Sequence, residues 1–167
     1  MKNLVPFTLF LFTSFGASNL YAQNSMINVL TRNSGVVKKG EIIFFEVSIN
    51  NTSPTTSIPL YKLRPQISFP INLVDIPATG HILPKGWAIT SNSKGVVTLT
   101  NGTDFIEENG NRTILIAMKG KAEGGPSTIM GNLIFSNGVA PGSGVGVPLP
   151  GDNMADNSST SSIIVVK

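Results

Sequence analysis

Residues 41–50 read EIIFFEVSIN, and this stretch decides the fold class. Ile43, Phe45, Val47 and Ile49 fall on one side, with Ile42, Phe44, Glu46 and Ser48 on the other. That period of two is the mark of a half-buried strand, and Phe44 adds apolar surface to the less buried face. Residues 112–120, RTILIAMKG, repeat the pattern with Ile114, Ile116 and Met118 inward. Residues 127–135 alternate again through Ile129, Gly131, Leu133 and Phe135. Shorter runs predict strands over 26–31, 60–69, 72–76, 88–92, 95–100 and 161–166.

Between the runs lie Asn33-Ser34-Gly35, Asn50-Asn51-Thr52, Asn101-Gly102, Asn109-Gly110 and Gly124-Gly125-Pro126. Such residues supply the positive or preset φ that a chain reversal needs. No window holds a 3.6-residue apolar period over a helix's length. The pattern predicts an all-β chain, an antiparallel sandwich of about seven to nine strands forming a single domain. Two segments break it. Residues 53–59 carry Pro54 and Pro59, which with Pro65 are expected to guard a sheet edge. Residues 138–150, GVAPGSGVGVPLP, read as a surface loop before the last strand.

Composition narrows the function classes. The 167 residues include no Cys, which excludes disulfides, thiolate metal sites and cysteine nucleophiles. Twelve Lys and Arg against nine Asp and Glu are scattered along the chain, so nucleic acid is not an expected partner. The first 22 residues stand apart: Lys2 precedes a short Phe- and Leu-rich run, and small residues follow up to Ala22. This is the order of a secretory signal peptide, with cleavage expected after Ala22. Residues 23–167 then form the β-sandwich domain, with no stable membrane insertion after cleavage, in the periplasm or at the cell surface or outside it.

Several motifs together resemble the conserved-repeat domains of bacterial surface proteins (domain of unknown function 11). Gly40-Glu41-Ile42-Ile43-Phe44-Phe45-Glu46-Val47-Ser48-Ile49-Asn50-Asn51 is similar to that family's opening strand, and Leu83-Pro84-Lys85-Gly86-Trp87 to its central L-P-x-G turn. Asn111-Arg112-Thr113-Ile114-Leu115-Ile116 takes the place of its later sheet strand. Gly131-Asn132-Leu133-Ile134-Phe135 resembles a further strand with its Asn displaced. Residues 152–161 resemble the closing signature, with Asp156 replacing the first Asn. The resemblance spans about residues 27–166. It implies an immunoglobulin-like sandwich of exported adhesins and envelope proteins, present here in one copy. The same residues also have fold-specifying roles: Gly86 turns the chain, Trp87 covers one end of the core, and the Asx pairs bond nearby backbone.

Candidate chemistry is sparse. His81 is the single histidine, with Asp75 or Asp104 as conceivable partners, and it reads as an exposed loop residue. Asp104, Glu107 and Glu108 beside Asn109-Gly110 read as a solvated hairpin tip rather than a glycosidase pair. No Gly-x-Ser-x-Gly elbow is present. No catalytic residue and no cofactor is therefore expected, with one exception worth carrying. Asp152, Asn153, Asp156 and Asn157 offer four oxygen-bearing side chains that suit calcium in kind, though without the alternate spacing of a calcium loop. The expected function is a non-catalytic, exported structural or adhesion-type module of the bacterial envelope. It would act by protein contact, as accessory subunit or surface component of a larger exported envelope protein. The alternative is a calcium- or carbohydrate-binding sandwich using residues 152–157 and Trp87, with a glycan as partner.

Overall fold

The computed structural model describes residues 24–137 and 144–167. The expected signal peptide, residues 1–22, and a stretch of the Gly-rich segment lie outside the described residues. Among the described residues ten strands occur in chain order: β1 (Ser25–Thr31), β2 (Val36–Lys38), β3 (Ile42–Asn51), β4 (Leu63–Ser68), β5 (Val74–Asp75), β6 (Ala88–Ser93), β7 (Val96–Thr100), β8 (Asn111–Gly120), β9 (Gly124–Phe135) and β10 (Ser158–Val166). A four-stranded sheet, ordered β1-β3-β8-β5, packs against a six-stranded sheet ordered β2-β10-β9-β4-β7-β6. The result is an immunoglobulin-like β-sandwich. Among the described residues no helix is long and apolar enough to cross a membrane.

The inward residues of the alternating runs fill the core. Phe45, Val47, Ile49, Ile114, Ile116 and Met118 face Ile67, Val97, Leu99, Ile129, Leu133 and Ile163, all at most 2% exposed. Each such side chain contributes about 1.5–3 kcal/mol on leaving water. Phe45 and Phe69 meet edge to face, with ring centroids 5.3 Å apart. Gly131 sits among the inward positions of β9, where a Cβ would lie 2.5 Å from Val29 Cγ1. The missing side chain lets β1 of the opposite sheet close down on β9.

Three expectations need correction. The sandwich is not wholly antiparallel and has one strand beyond the expected range, because β2 pairs with β10 in parallel through Ile164 opposite Val36. Gly124-Gly125-Pro126 is no turn but the start of β9. There a Cβ on Gly125 would stand 2.7 Å from Ile163 O, so glycine admits a close approach of β10. Pro65 guards no edge: it lies inside β4, between β9 and β7. Its missing N–H falls where the β4–β7 ladder has ended, since pairing with β7 begins at Gln66. The described end of the Gly-rich segment is a surface loop, as expected, and an ordered one: Val145 and Val147 are exposed, while buried Leu149 and the pairing of Ser136 with Val145 pin it to the sandwich.

The free edge of β1 is closed by side chains rather than by another strand. Ser25 N donates to Asp152 Oδ1 at 2.7 Å, Val29 N to Ser159 Oγ at 3.2 Å and Thr31 N to Ser161 Oγ at 3.0 Å. The serine-rich start of β10 thus satisfies donors that an open sheet edge would present to other chains.

Candidate functional site

Three places collect the residues that bear on function. At one end of the sandwich, the Pro84–Trp87 turn is closed by Trp87 N donating to Pro84 O at 3.1 Å. Gly86 adopts φ +85° there, and a Cβ would meet Asp104 N at 2.9 Å. Trp87 is turned inward, 6% exposed, and its indole N–H donates to Asp104 Oδ2 at 2.7 Å. A ring held in this way cannot offer its face to a sugar. Arg112 from β8 donates to the same Asp104 oxygen through Nε at 2.7 Å and to Glu107 Oε2 through Nη2 at 2.8 Å. Glu107, Glu108 and Asn109 are exposed as a hairpin tip would be, whereas Asp104 is drawn in; Asp104 and Glu107 together form an ion-paired bracket that ties the 101–110 connection to β8. The hydrogen bonds from Arg112, and then the residue's own backbone amide, lower the Glu107 pKa to about 2. The same bonds, to Glu107 and then Asp104, hold the Arg112 guanidinium above its ordinary value. A carboxylate so strongly held in its charged form is a poor proton donor or acceptor near neutral pH.

His81 is also placed differently from expectation. Ala117 N donates to its Nδ1 at 3.1 Å, and Nε2 lies 2.9 Å from Pro77 O. Since Nδ1 accepts, Nε2 carries the proton and donates to Pro77. The ring bridges the 77–82 segment to β8 through backbone groups on both sides. Asp75 pairs instead with Lys121 at 3.3 Å, and Asp104 with Arg112, so neither orients the imidazole.

The Asp152–Asn157 bend does bring its four polar side chains together. Asp152 Oδ1 accepts from the backbone N and the Oγ of Ser25, at 2.7 and 2.8 Å, and its Oδ2 from Asn157 Nδ2. Asn153 caps the short 3-10 turn, its Oδ1 accepting from Ala155 N at 3.2 Å. Asp156 Oδ2 accepts from Asn24 Nδ2 and Asn153 Nδ2, both at 3.3 Å. Much of the set is thus engaged in fastening the bend to the start of β1. Among the described residues no group of three or more His, Cys, Asp or Glu is positioned to hold a metal.

The third place was not singled out from the sequence. On the outer face of the four-stranded sheet, Leu30 lies opposite Glu46, Glu46 opposite Leu115, and Leu115 bridges to Ile82. Further along the β3–β8 ladder, Phe44 lies opposite Ala117, and beyond it Ile42 opposite Lys119. Leu30, Ile42 and Ile82 are each more than half exposed. Arg32 and Glu46, paired at 2.8 Å, and the Lys121–Asp75 pair stand on the same sheet. This is an apolar patch among charged groups, and the extra apolar surface of Phe44 was its one trace in the sequence.

No family model matches the chain, and no curated protein matches it. Among solved structures, the sandwich is similar to a cohesin module from a family 33 glycoside hydrolase of Clostridium perfringens. That match has a TM-score of 0.51 at 11% identity, over 87% of this chain and 97% of that one. It is also similar to the CARDB domain of a Pyrococcus furiosus protein in complex with di-metal ions, with a TM-score of 0.48 at 12% identity, over 89% and 95%. An uncharacterised Nocardia farcinica protein with an immunoglobulin-like fold matches at 0.39 and 14% identity, over 82% and 98%. At such identities the likeness concerns the fold alone. The resemblance to the conserved-repeat family likewise extends to the fold and not to membership.

Proposed function

We propose that this chain is a non-catalytic, exported module of the bacterial envelope that works by protein contact, as accessory subunit or surface component of a larger exported partner. The observation that carries the reading is the outer face of the four-stranded sheet. Leu30, Ile42, Phe44, Leu115 and Ile82 form an apolar patch beside the Arg32–Glu46 pair and Lys119. Exposed apolar patches with charged surroundings mark protein-contact surfaces, because their burial in a complex gains hydrophobic free energy while the charges select the partner. The ionisable groups that sequence reasoning would offer an enzyme, His81, Asp104 and Glu107, are engaged in structural hydrogen bonds. The reading includes removal of residues 1–22 as a signal peptide.

Crosslinking in the native cells, followed by mass spectrometry, tests it. Lys119 lies on the patch, so one dominant exported protein crosslinked through Lys119 is expected. Ile42→Glu and Leu30→Glu variants, which alter exposed positions only, should lose that product while melting as the parent does. Crosslinks absent at Lys119, or unchanged in both variants, would remove this face from the reading.

A further inference from the structure

We propose that the Asp152–Asn157 bend is a calcium site, with Asp156 Oδ1 and Asn157 Oδ1 as its protein donors. Both oxygens are buried from solvent and neither has a hydrogen-bond partner among the described residues. Asn157 is 5% exposed, and its side chain is directed into the cluster, where Nδ2 donates to Asp152 Oδ2 and reaches Met154 Sδ at 3.4 Å. The amide orientation is fixed by that carboxylate, because the reverse orientation would set Oδ1 against Asp152. The free acceptor of Asn157 is therefore a real consequence of the arrangement. Its neighbour Asp156 uses only Oδ2, on Asn24 and Asn153.

Buried acceptors without donors are costly, about 1–3 kcal/mol each and more for a charged group, and an ion or ordered water is the usual remedy. Charge favours the ion. Residues 122–166 contain Glu123, Asp152 and Asp156 and not one Lys, Arg or His. Among the described residues neither Asp152 nor Asp156 is ion-paired; their partners are amides, a hydroxyl and a backbone N–H. Two carboxylates four positions apart thus have no ion-pair partner among the described residues. A hard divalent cation takes carboxylate and amide oxygens readily, and calcium tolerates the irregular geometry and water-completed shell that magnesium accepts less easily. With two side-chain donors, the remaining ligands would be main-chain carbonyls and water, which places the affinity in the weak range of about 10⁻⁴–10⁻³ M. Because the bend holds Asn24 and Ser25, occupancy would also brace the beginning of β1.

The test is a calorimetric titration with CaCl₂ of protein first stripped with EDTA, together with its melting temperature with and without 10 mM CaCl₂. A saturable heat and a rise of about 3–5 °C are expected, with a smaller rise in MgCl₂. Asp156→Asn should abolish both, and Asn157→Asp, which adds a carboxylate ligand, should enlarge the calcium-induced rise. If one variant fails to fold, the other decides. The absence of heat and shift in the parent protein would mean that the two oxygens face water, and the proposal falls. An effect that survives in the folded variants would put the ion elsewhere and overturn it equally.

Discussion

Trp87 and Asp104 are joined by a 2.7 Å hydrogen bond from the indole N–H to Oδ2, on a carboxylate that also receives the Arg112 guanidinium at 2.7 Å. One side chain thereby anchors a core aromatic and an ion pair. Asp104→Ala leaves the buried Trp87 indole N–H without an acceptor and the partly buried Arg112 guanidinium with Glu107 as its remaining carboxylate. The expected loss is about 2–3 kcal/mol, read from urea denaturation followed by Trp87 fluorescence. Asp104→Asn, which keeps an acceptor, should lose less; equal losses would count against the bracket.

The same bracket predicts acid sensitivity. The pKa of Glu107 falls from 4.5 to about 2 on folding, so the unfolded chain takes up this proton first as pH drops. The stabilisation is complete above about 4.5, since the group is then charged in both states, and it is lost as pH falls from there through about 2. Glu107→Gln should flatten this stretch of the stability profile and leave the slope above about pH 5 unaltered. Denaturation midpoints at intervals between about pH 2 and 6 check it.

Asn51, 1% exposed, directs Nδ2 at the carbonyls of Thr56, Glu107 and Ile106, at 2.8, 2.9 and 3.2 Å, and accepts from Ser53 N through Oδ1 at 3.1 Å. Asn51→Asp would set a carboxylate oxygen against three carbonyls. A loss above about 3 kcal/mol is expected, with Asn51→Ala less severe than Asp. The order of the two variants in thermal melts is the measurement.

A methyl added at Gly131 meets Val29 Cγ1 at 2.5 Å and Ile27 Cδ1 at 3.2 Å. Gly131→Ala should cost about 1–3 kcal/mol through overpacking. Val29→Ala in the same chain should recover some of it, which a double-mutant cycle measures directly. Independent, additive effects would contradict the close approach of β1 to β9.

Removing Ser159 and Ser161 hydroxyls strands the amides of Val29 and Thr31 at the β1 edge. The double variant Ser159→Ala/Ser161→Ala should destabilise by about 2–3 kcal/mol in all. Amide exchange at Val29 and Thr31 should accelerate well beyond that at Ile49 and Ile116. Uniform acceleration would show that the hydroxyls protect no edge in particular.

The strands were legible because the two faces of a sandwich differ so sharply in polarity. Ile43 to Ile49 and Ile114 to Met118 announce their inward faces without any partner being known, and both are buried as read. β2 escaped notice because its three residues, Val36–Lys38, contain too little alternation to register. Partnerships are harder to read than strands. Arg112 looked like an ordinary strand residue, and its role appears only when the 101–110 connection folds back on β8. The apolar outer face depends on register: Leu30 and Leu115 share one row across the sheet only because both lie opposite Glu46 of β3. His81, similarly, needed the position of the Ala117 amide, which no local pattern supplies.

The stitching of β1 to β10 also has a mechanical meaning. Ser25, Val29 and Thr31 meet Asp152, Ser159 and Ser161 in ascending order, so the two segments run in the same direction. β2 runs beside β10 the same way. A pull on the chain before β1, opposed by a pull on the chain after β10, therefore slides these segments past one another. The bonds between them carry the load together in shear, whereas an antiparallel pair held at its open end would unzip bond by bond. A module fastened at both ends of its sandwich would resist tension along the axis of its own strands.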